Sequence, residues 1–361
     1  MAYTTINKSS DYFNNKIYTG NGGTQSITNV GHQPDFTWIK CRSDATDHAL
    51  QDTIRGTSQS LQSNADTASA DVGSSQITAW TSDGFNLASG GDVNTNGRTY
   101  ASWNWKAGTT GSGTTTGSGT GKAYSYSVST ASGFSIVKYV GNGTAGHTIP
   151  HHLGSAPSMV ICKSISENRG WPIQHSGLTS AAYAIFLSQT NAEANQPAGG
   201  GTNTWNSTAA SSSVVTLGNN ANNNSNDQTY IMYSFAQKTG YSKFGSYTGN
   251  GNADGTFIFT GMKPAFILYK QSTGGTHWYI YDAKRDGKNI GTGASGGNRS
   301  LRPDTDSAEE QASGYPIDIL SNGWKARSSN NQLNENTSTY IYMAFAEAPL
   351  VGSNNVPCTA R

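Results

Sequence analysis

Few side chains in this 361-residue chain stand at spacings that suggest chemistry, and the sharpest pattern is built around a serine. Gly293-Ala294-Ser295-Gly296-Gly297 matches the nucleophile elbow, which works by holding a serine hydroxyl on a strained turn between a strand and a helix. The run lies in a Gly-rich loop, and a chain with 43 glycines meets the pattern by accident. His151-His152 is the one close histidine pair. Neighbours on a strand point to opposite faces, so the pair reads as surface loop rather than as metal ligands. Asp304-Thr305-Asp306-Ser307-Ala308-Glu309-Glu310 offers oxygen ligands for calcium but lacks the glycine-centred loop of a calcium site, and reads as a solvated loop. Glycosidic-bond hydrolysis needs two carboxylates held roughly 5–10 Å apart, and no acidic pair recurs along the chain. The expectation is therefore no catalytic residue, no cofactor and no metal.

Aromatic side chains are the other candidates, because their flat faces are what a non-enzymatic β protein offers to sugar rings. His48, Trp171 and Trp278 each stand eight residues after a recurring lysine, which favours a structural job. Trp103 and Trp105 lie on a strand and belong to the core, and Trp324 corresponds to Phe85. Trp80 and Trp205 have no counterpart elsewhere. Trp205 is the better ligand-contact candidate, since Gly199 to Asn206 reads as an exposed loop carrying one large apolar side chain.

The elements that must position these residues occur three times. Tyr18-Thr19-Gly20-Asn21-Gly22 recurs as Tyr139-Val140-Gly141-Asn142-Gly143 and as Tyr247-Thr248-Gly249-Asn250-Gly251. A proline with a lysine six places on follows each copy: Pro34 to Lys40, Pro157 to Lys163, Pro264 to Lys270. Each copy closes on Thr99-Tyr100, Thr229-Tyr230 or Thr339-Tyr340 and an alternating aromatic strand. Three ordered anchors define three tandem modules, 1–108, 130–239 and 240–349, with a tail at 350–361. Residues 109–129 open with a run of Gly, Thr and Ser and read as a flexible linker, leaving the first module free to pivot while the second and third pack together.

The proline run is apolar on both faces (Phe36, Trp38; Met159, Ile161; Phe266, Leu268 on one), as in a central strand. The closing strand alternates, as a half-buried antiparallel strand should. Asp83-Gly84 and Asn322-Gly323 signal hairpins, and the glycines of the Tyr-x-Gly-Asn-Gly phrase fit tight turns better than a phosphate cradle, because no helix start follows them. Helix-period segments with caps are nearly absent. The reading is all-β: three tandem β-sandwich modules, jelly-roll-like.

Composition narrows the partners. With 23 Lys plus Arg against 22 Asp plus Glu, no global field draws the chain to nucleic acid or an anionic membrane. Charged residues are 12%, about half the usual share, as in an extracellular or virion-surface β protein. No run approaches 18 apolar residues, so membrane insertion is not expected. Met1-Ala2-Tyr3-Thr4-Thr5 lacks the features of a secretory signal, which implies assembly in a cytoplasm. Cys41, Cys162 and Cys358 fall at non-equivalent places and read as free thiols.

Pro34-Asp35-Phe36-Thr37-Trp38-Ile39-Lys40, Asp52-Thr53-Ile54-Arg55-Gly56, Ser82-Asp83-Gly84-Phe85 and Thr99 to Gly108 together resemble a repeated domain of uncharacterised function in virion proteins of marine tailed phages, cyanophages in particular. Ala344-Phe345-Ala346-Glu347-Ala348-Pro349 and the closing Val356 to Arg361 are similar to theirs. The likeness thins in the second module, where Gln174-His175-Ser176-Gly177 replaces the Asp-x-x-Arg-Gly phrase, and the third keeps only Asp282-Ala283-Lys284-Arg285. The resemblance implies a virion structural protein: a tail fibre or tail-associated adhesin contacting a host-surface glycan or protein. A capsid-decorating protein and a tail polysaccharide depolymerase are the alternatives. It also implies other virion proteins as partners and homo-oligomerisation, as a trimer, and it transfers no catalytic residue.

Overall fold

The computed structural model describes residues 3–196, 203–285, 289, 298–311, 314–352 and 357–359. Among them helix is confined to a 3-10 turn at Ser9–Asp11 and two single turns at Gly91–Asn94 and Ala221–Asn224, so the chain is all-β.

The three sequence anchors form one strand pattern three times. The opening strands are Phe13–Thr19, Phe134–Val140 and Ser242–Thr248; the proline strands are Phe36–Cys41, Met159–Ser164 and Met262–Gln271. The closing strands are Thr99–Trp105, Thr229–Phe235 and Thr339–Pro349. In each repeat the closing strand lies between the opening and proline strands, all antiparallel, and a fourth strand (Ala49–Asp52, Pro172–His175 or Tyr279–Asp282) flanks the proline strand. The register repeats too: Phe36 faces Trp105, Met159 faces Phe235, and Phe266 faces Phe345. Pro264 is tolerated inside its strand because the ladder shifts register there.

Each repeat adds a three-stranded sheet. In the first and third it contains the hairpins expected at Asp83-Gly84 and Asn322-Gly323, with Ile77–Thr81 paired to Gly84–Leu87 and Ile317–Leu320 to Gly323–Ala326. A hydrophobic cluster draws side chains from both sheets of each repeat, for example Ile39, Phe85 and Tyr100 in the first.

The closing strands are not half-buried. Their second face (Ala101, Trp103, Trp105; Ile231, Tyr233, Phe235; Ile341, Met343, Phe345) enters a cluster shared by all three repeats. Equivalent rings meet there in a triangle, with centroids of Trp105 and Phe235 6.3 Å apart, Phe235 and Phe345 5.9 Å, and Trp105 and Phe345 5.7 Å. A strand with cores on both faces cannot turn polar residues to water, so alternation of large apolar with small side chains (Ser102, Ser234, Ala344) misled the expectation.

The first repeat therefore packs against the other two instead of standing apart, and the run read as a linker is built into the second. Thr109–Thr114 pairs with Ala123–Ser129, which pairs with the opening strand Phe134–Val140, in a sheet that Tyr183–Phe186 and Ala194–Asn195 at the opposite edge bring to eight strands. Thr116–Gly117 joins the small sheet beside His147–Pro150. Composition suggested flexibility, but the edge of a sheet supplies hydrogen-bond partners even to a run with little side-chain mass to pack.

Candidate functional site

The recurring phrases join the repeats to one another. Lys40 donates from its ammonium to the carbonyls of Cys41 and, in the third repeat, Asp306, at 2.9 and 3.1 Å. Lys163 reaches Arg169 and, in the first repeat, Asp66, at 2.7 and 3.0 Å. Lys270 reaches Thr276 and, in the second repeat, Thr190, the latter at 2.8 Å. Burial lowers the pKa of each lysine to about 8. The rings eight residues on follow the same circuit. Trp171 donates to Gln62 and Ala65 carbonyls at 3.1 and 3.0 Å, Trp278 to the Phe186 carbonyl at 2.9 Å, and His48 Nε2 meets the Arg302 carbonyl at 3.0 Å. Trp38 Nε1 donates to His48 Nδ1 at 2.8 Å, which leaves the Nε2 proton for Arg302.

A second circuit runs the opposite way through the residue opposite Phe36, Met159 or Phe266. Asp52 accepts from the Tyr233 hydroxyl at 2.8 Å, His175 Nε2 meets the Tyr342 carbonyl at 3.1 Å, and Asp282 accepts from Trp103 Nε1 at 3.0 Å. Asp52 and Asp282 each also hold an arginine, Arg55 and Arg285, at 2.6 Å. Burial opposes charge on Asp282, but Arg285 outweighs it and its pKa is lowered. Burial likewise opposes charge on Arg55, and Asp52 with Tyr233 raises its pKa. These carboxylates and guanidinia are fully buried and spend their bonds on neighbours, so what they do chemically is fix the repeats in place.

The acidic run shares this role. Glu309 is buried, taking Arg42 in two bonds of 2.8 and 2.9 Å with Arg285 and Arg299 each at 3.1 Å. Asp304 pairs with His277 at 2.7 Å. The expected solvated loop is an ion-pair network between the first and third repeats. No group of three or more His, Cys, Asp and Glu able to hold a metal occurs among the described residues. The Gly293-Ala294-Ser295-Gly296-Gly297 pattern lies outside the described residues.

Sequence reasoning missed Asn94, Asn224 and Asn334, each six residues before a closing-strand tyrosine. Each side-chain oxygen accepts the backbone N–H of the phrase asparagine, Asn21, Asn142 or Asn250, at 3.0 Å. The glycine that follows has φ between 67° and 70° in all three copies, the left-handed region that favours glycine. Recurrence at a fixed offset was the signal that could have found this clasp.

Trp205 is fully buried, in the cluster of the second repeat. Its loop is not an exposed carrier of a free ring. Val215, opposite Ile149, stands where Phe85 and Trp324 stand opposite Ile27 and Ile258, and Trp205 supplies the ring volume that Val215 lacks. Trp80 is half-buried, packs against the first repeat's cluster and donates to Thr37 Oγ1 at 3.2 Å. The histidine pair divides: His151 is buried with Nε2 3.1 Å from the Ser211 carbonyl, whereas His152 is half-exposed at φ 59°. Cys41 and Cys162 are buried free thiols, and Cys358 is a partly exposed one.

Two hollows remain. One of about 360 Å³ is lined by Pro157, Gln174, His175, Leu178 and Ala210. Burial lowers the His175 pKa to about 4, and its ring is held by the Gly177 N–H at Nδ1 and by Tyr342 at Nε2, so it is a neutral strut. The other, about 560 Å³, is a groove walled by Tyr124, His152, Pro150 and Val214 and rimmed by hydroxyls. It has no counterpart among the hollows seen on the first and third repeats, and its wall includes the built-in Gly/Thr/Ser segment.

These features define an all-β protein whose recurring polar residues tie three repeats into one body, with a candidate groove on the second. The model of the family Domain of unknown function (DUF7483) matches residues 8–349 in a single span across the three repeats, and the chain belongs to that family. No curated protein and no solved structure matches it.

Proposed function

We propose that the chain is a virion structural protein of a tailed phage, a tail fibre or tail-associated adhesin that presents a stiff β scaffold to the host surface. Each repeat is read as a two-sheet sandwich of jelly-roll type, since one apolar cluster draws on both of its sheets. The observation that carries the functional reading is the double circuit: the repeated Lys, Asp, Arg and ring residues are bonded across repeats, so recurrence serves rigidity. A rigid body that keeps its loops in place suits repeated, weak engagement of a surface, where avidity comes from many copies on a particle. The resemblance to virion domains supplies the location, with other virion proteins as partners.

Electron microscopy of the intact particle with an antibody to this chain tests the reading. Label at the tail is expected. Label on the capsid shell away from the tail supports a decorating protein instead, and release of reducing ends from host envelope polysaccharide by the purified chain supports a depolymerase.

A further inference from the structure

The segment that distinguishes the second repeat builds an aromatic platform. Tyr124 and Tyr126 lie side by side on Ala123–Ser129 with ring centroids 6.1 Å apart, and His152 stacks on Tyr126 at 3.8 Å with an 18° interplanar angle. Tyr124 shares a hydrogen bond of 3.1 Å with His152 Nε2. The neighbouring strand Thr109–Thr114 places glycine under both rings: a Cβ on Gly111 would stand 2.6 Å from the Tyr126 hydroxyl oxygen, and one on Gly113 2.8 Å from that of Tyr124. Two close approaches explain why the run carries glycine at these alternate positions. His152 is held at φ 59°, in the left-handed region that few non-glycine residues adopt and where histidine is among the better tolerated, with its ring fixed by the stack on Tyr126.

The groove beside this platform has a volume of about 560 Å³, inside the roughly 300–1,000 Å³ range of ligand sites. Tyr124 and His152 give it a flat apolar wall, Thr114, Thr116, Ser212 and Ser213 give it hydroxyls, and no lining residue is Asp, Glu, Lys or Arg. Burial lowers the His152 pKa, so that ring is neutral too at neutral pH. A flat ring matches the C–H face of a sugar, and the hydroxyl rim matches its equatorial oxygens; an anionic or cationic ligand would find no counter-charge.

We propose that this groove is a binding site for a neutral glycan, with Tyr124 as the stacking surface and Thr116 and Ser213 among the polar contacts. That the glycan belongs to a host envelope rests on the adhesin reading above. The purified full chain is titrated with maltohexaose, cellohexaose and laminarihexaose and followed by saturation-transfer NMR. Saturable binding of at least one is expected. Tyr124→Ala weakens it about tenfold, the loss of one aromatic stacking contact, and Ser213→Trp, which fills the groove and leaves the stack in place, abolishes it. Thermal melts of both variants confirm folding.

No binding to any of the three, binding unchanged in both variants, or saturable binding only of an uncharged peptide overturns the proposal. A parallel assay of adhesion to bacterial cells separates the two readings. Oligosaccharide binding without adhesion keeps the groove and removes the adhesin; adhesion undiminished by Ser213→Trp keeps the adhesin and removes the groove as its contact with the host.

Discussion

The shared cluster and the groove of the second repeat differ in how they treat symmetry. At the shared cluster, equivalent positions carry residues of like size: Trp105, Phe235 and Phe345 meet at nearly equal separations. At the groove, the second repeat has two strands, Thr109–Thr114 and Ala123–Ser129, that neither other repeat places beside its opening strand among the described residues. The contrast teaches that repetition here marks what is needed for packing, and that departure from it marks where residues are free to serve something else.

The strongest way to break this contrast is at the triangle. Trp105→Ala removes a ring that touches both other repeats and should cost about 5 kcal/mol, the upper end for aromatic truncation in a core. Urea denaturation followed by fluorescence and by far-UV circular dichroism should still show one coincident transition at lower midpoint. Loss of the first repeat alone, with the others melting as before, would mean the cluster does not unite the molecule. Tyr124→Ala, by comparison, removes a part-buried ring and should cost roughly 1–2 kcal/mol.

Next in size is the ion pair. Asp52→Asn leaves Arg55 buried without its carboxylate and should cost about 3–5 kcal/mol. A double change, Asp52→Asn with Arg55→Met, should recover much of the loss. If the single change is silent, the second circuit contributes nothing to holding the first repeat to Tyr233.

The smallest of the three effects is set by pH. Burial lowers the pKa of His175 to about 4 and that of His48 well below 6.5, so between pH 6.5 and 4 the unfolded chain binds protons that the folded chain refuses. Stability from these groups is fully present above pH 6.5 and is lost as pH falls toward 4, by about 3 kcal/mol for His175. Unfolding free energy measured across that window should slope upward with pH, and His175→Gln should remove one proton from the slope. An unaltered slope in the variant would show that His175 does not titrate as a buried strut.

Much of the scaffold was legible because strand periodicity and turn chemistry are local. The proline strand, the closing strand and the two hairpin turns can be read from Phe36, Trp38, Asp83 and Gly84 without knowing what lies beside them. What lay beyond reach was contact between distant segments. Ser102 and Ser234 look like solvent-facing residues until the second core behind their strand is known, and Lys40 looks like a surface lysine until Asp306 arrives from far along the chain. Trp205 misled for a similar reason, since it joins the cluster that also holds the small Val215, which stands where Phe85 and Trp324 stand in the other repeats. Of the groove, only the failure of the second repeat to match its neighbours was visible; Thr109 to Lys122 carries no pattern that distinguishes an edge strand from a tether.

Closing the circuits within one polypeptide has a consequence for dilution. A ring assembled from three separate identical chains would fall apart as concentration dropped, and every change in one subunit would appear three times. Here Lys40, Lys163 and Lys270 complete the circuit inside one molecule, so its integrity is independent of how many copies are nearby. Each repeat is also free to diverge alone, which is how a body with threefold packing comes to carry this groove on its second repeat.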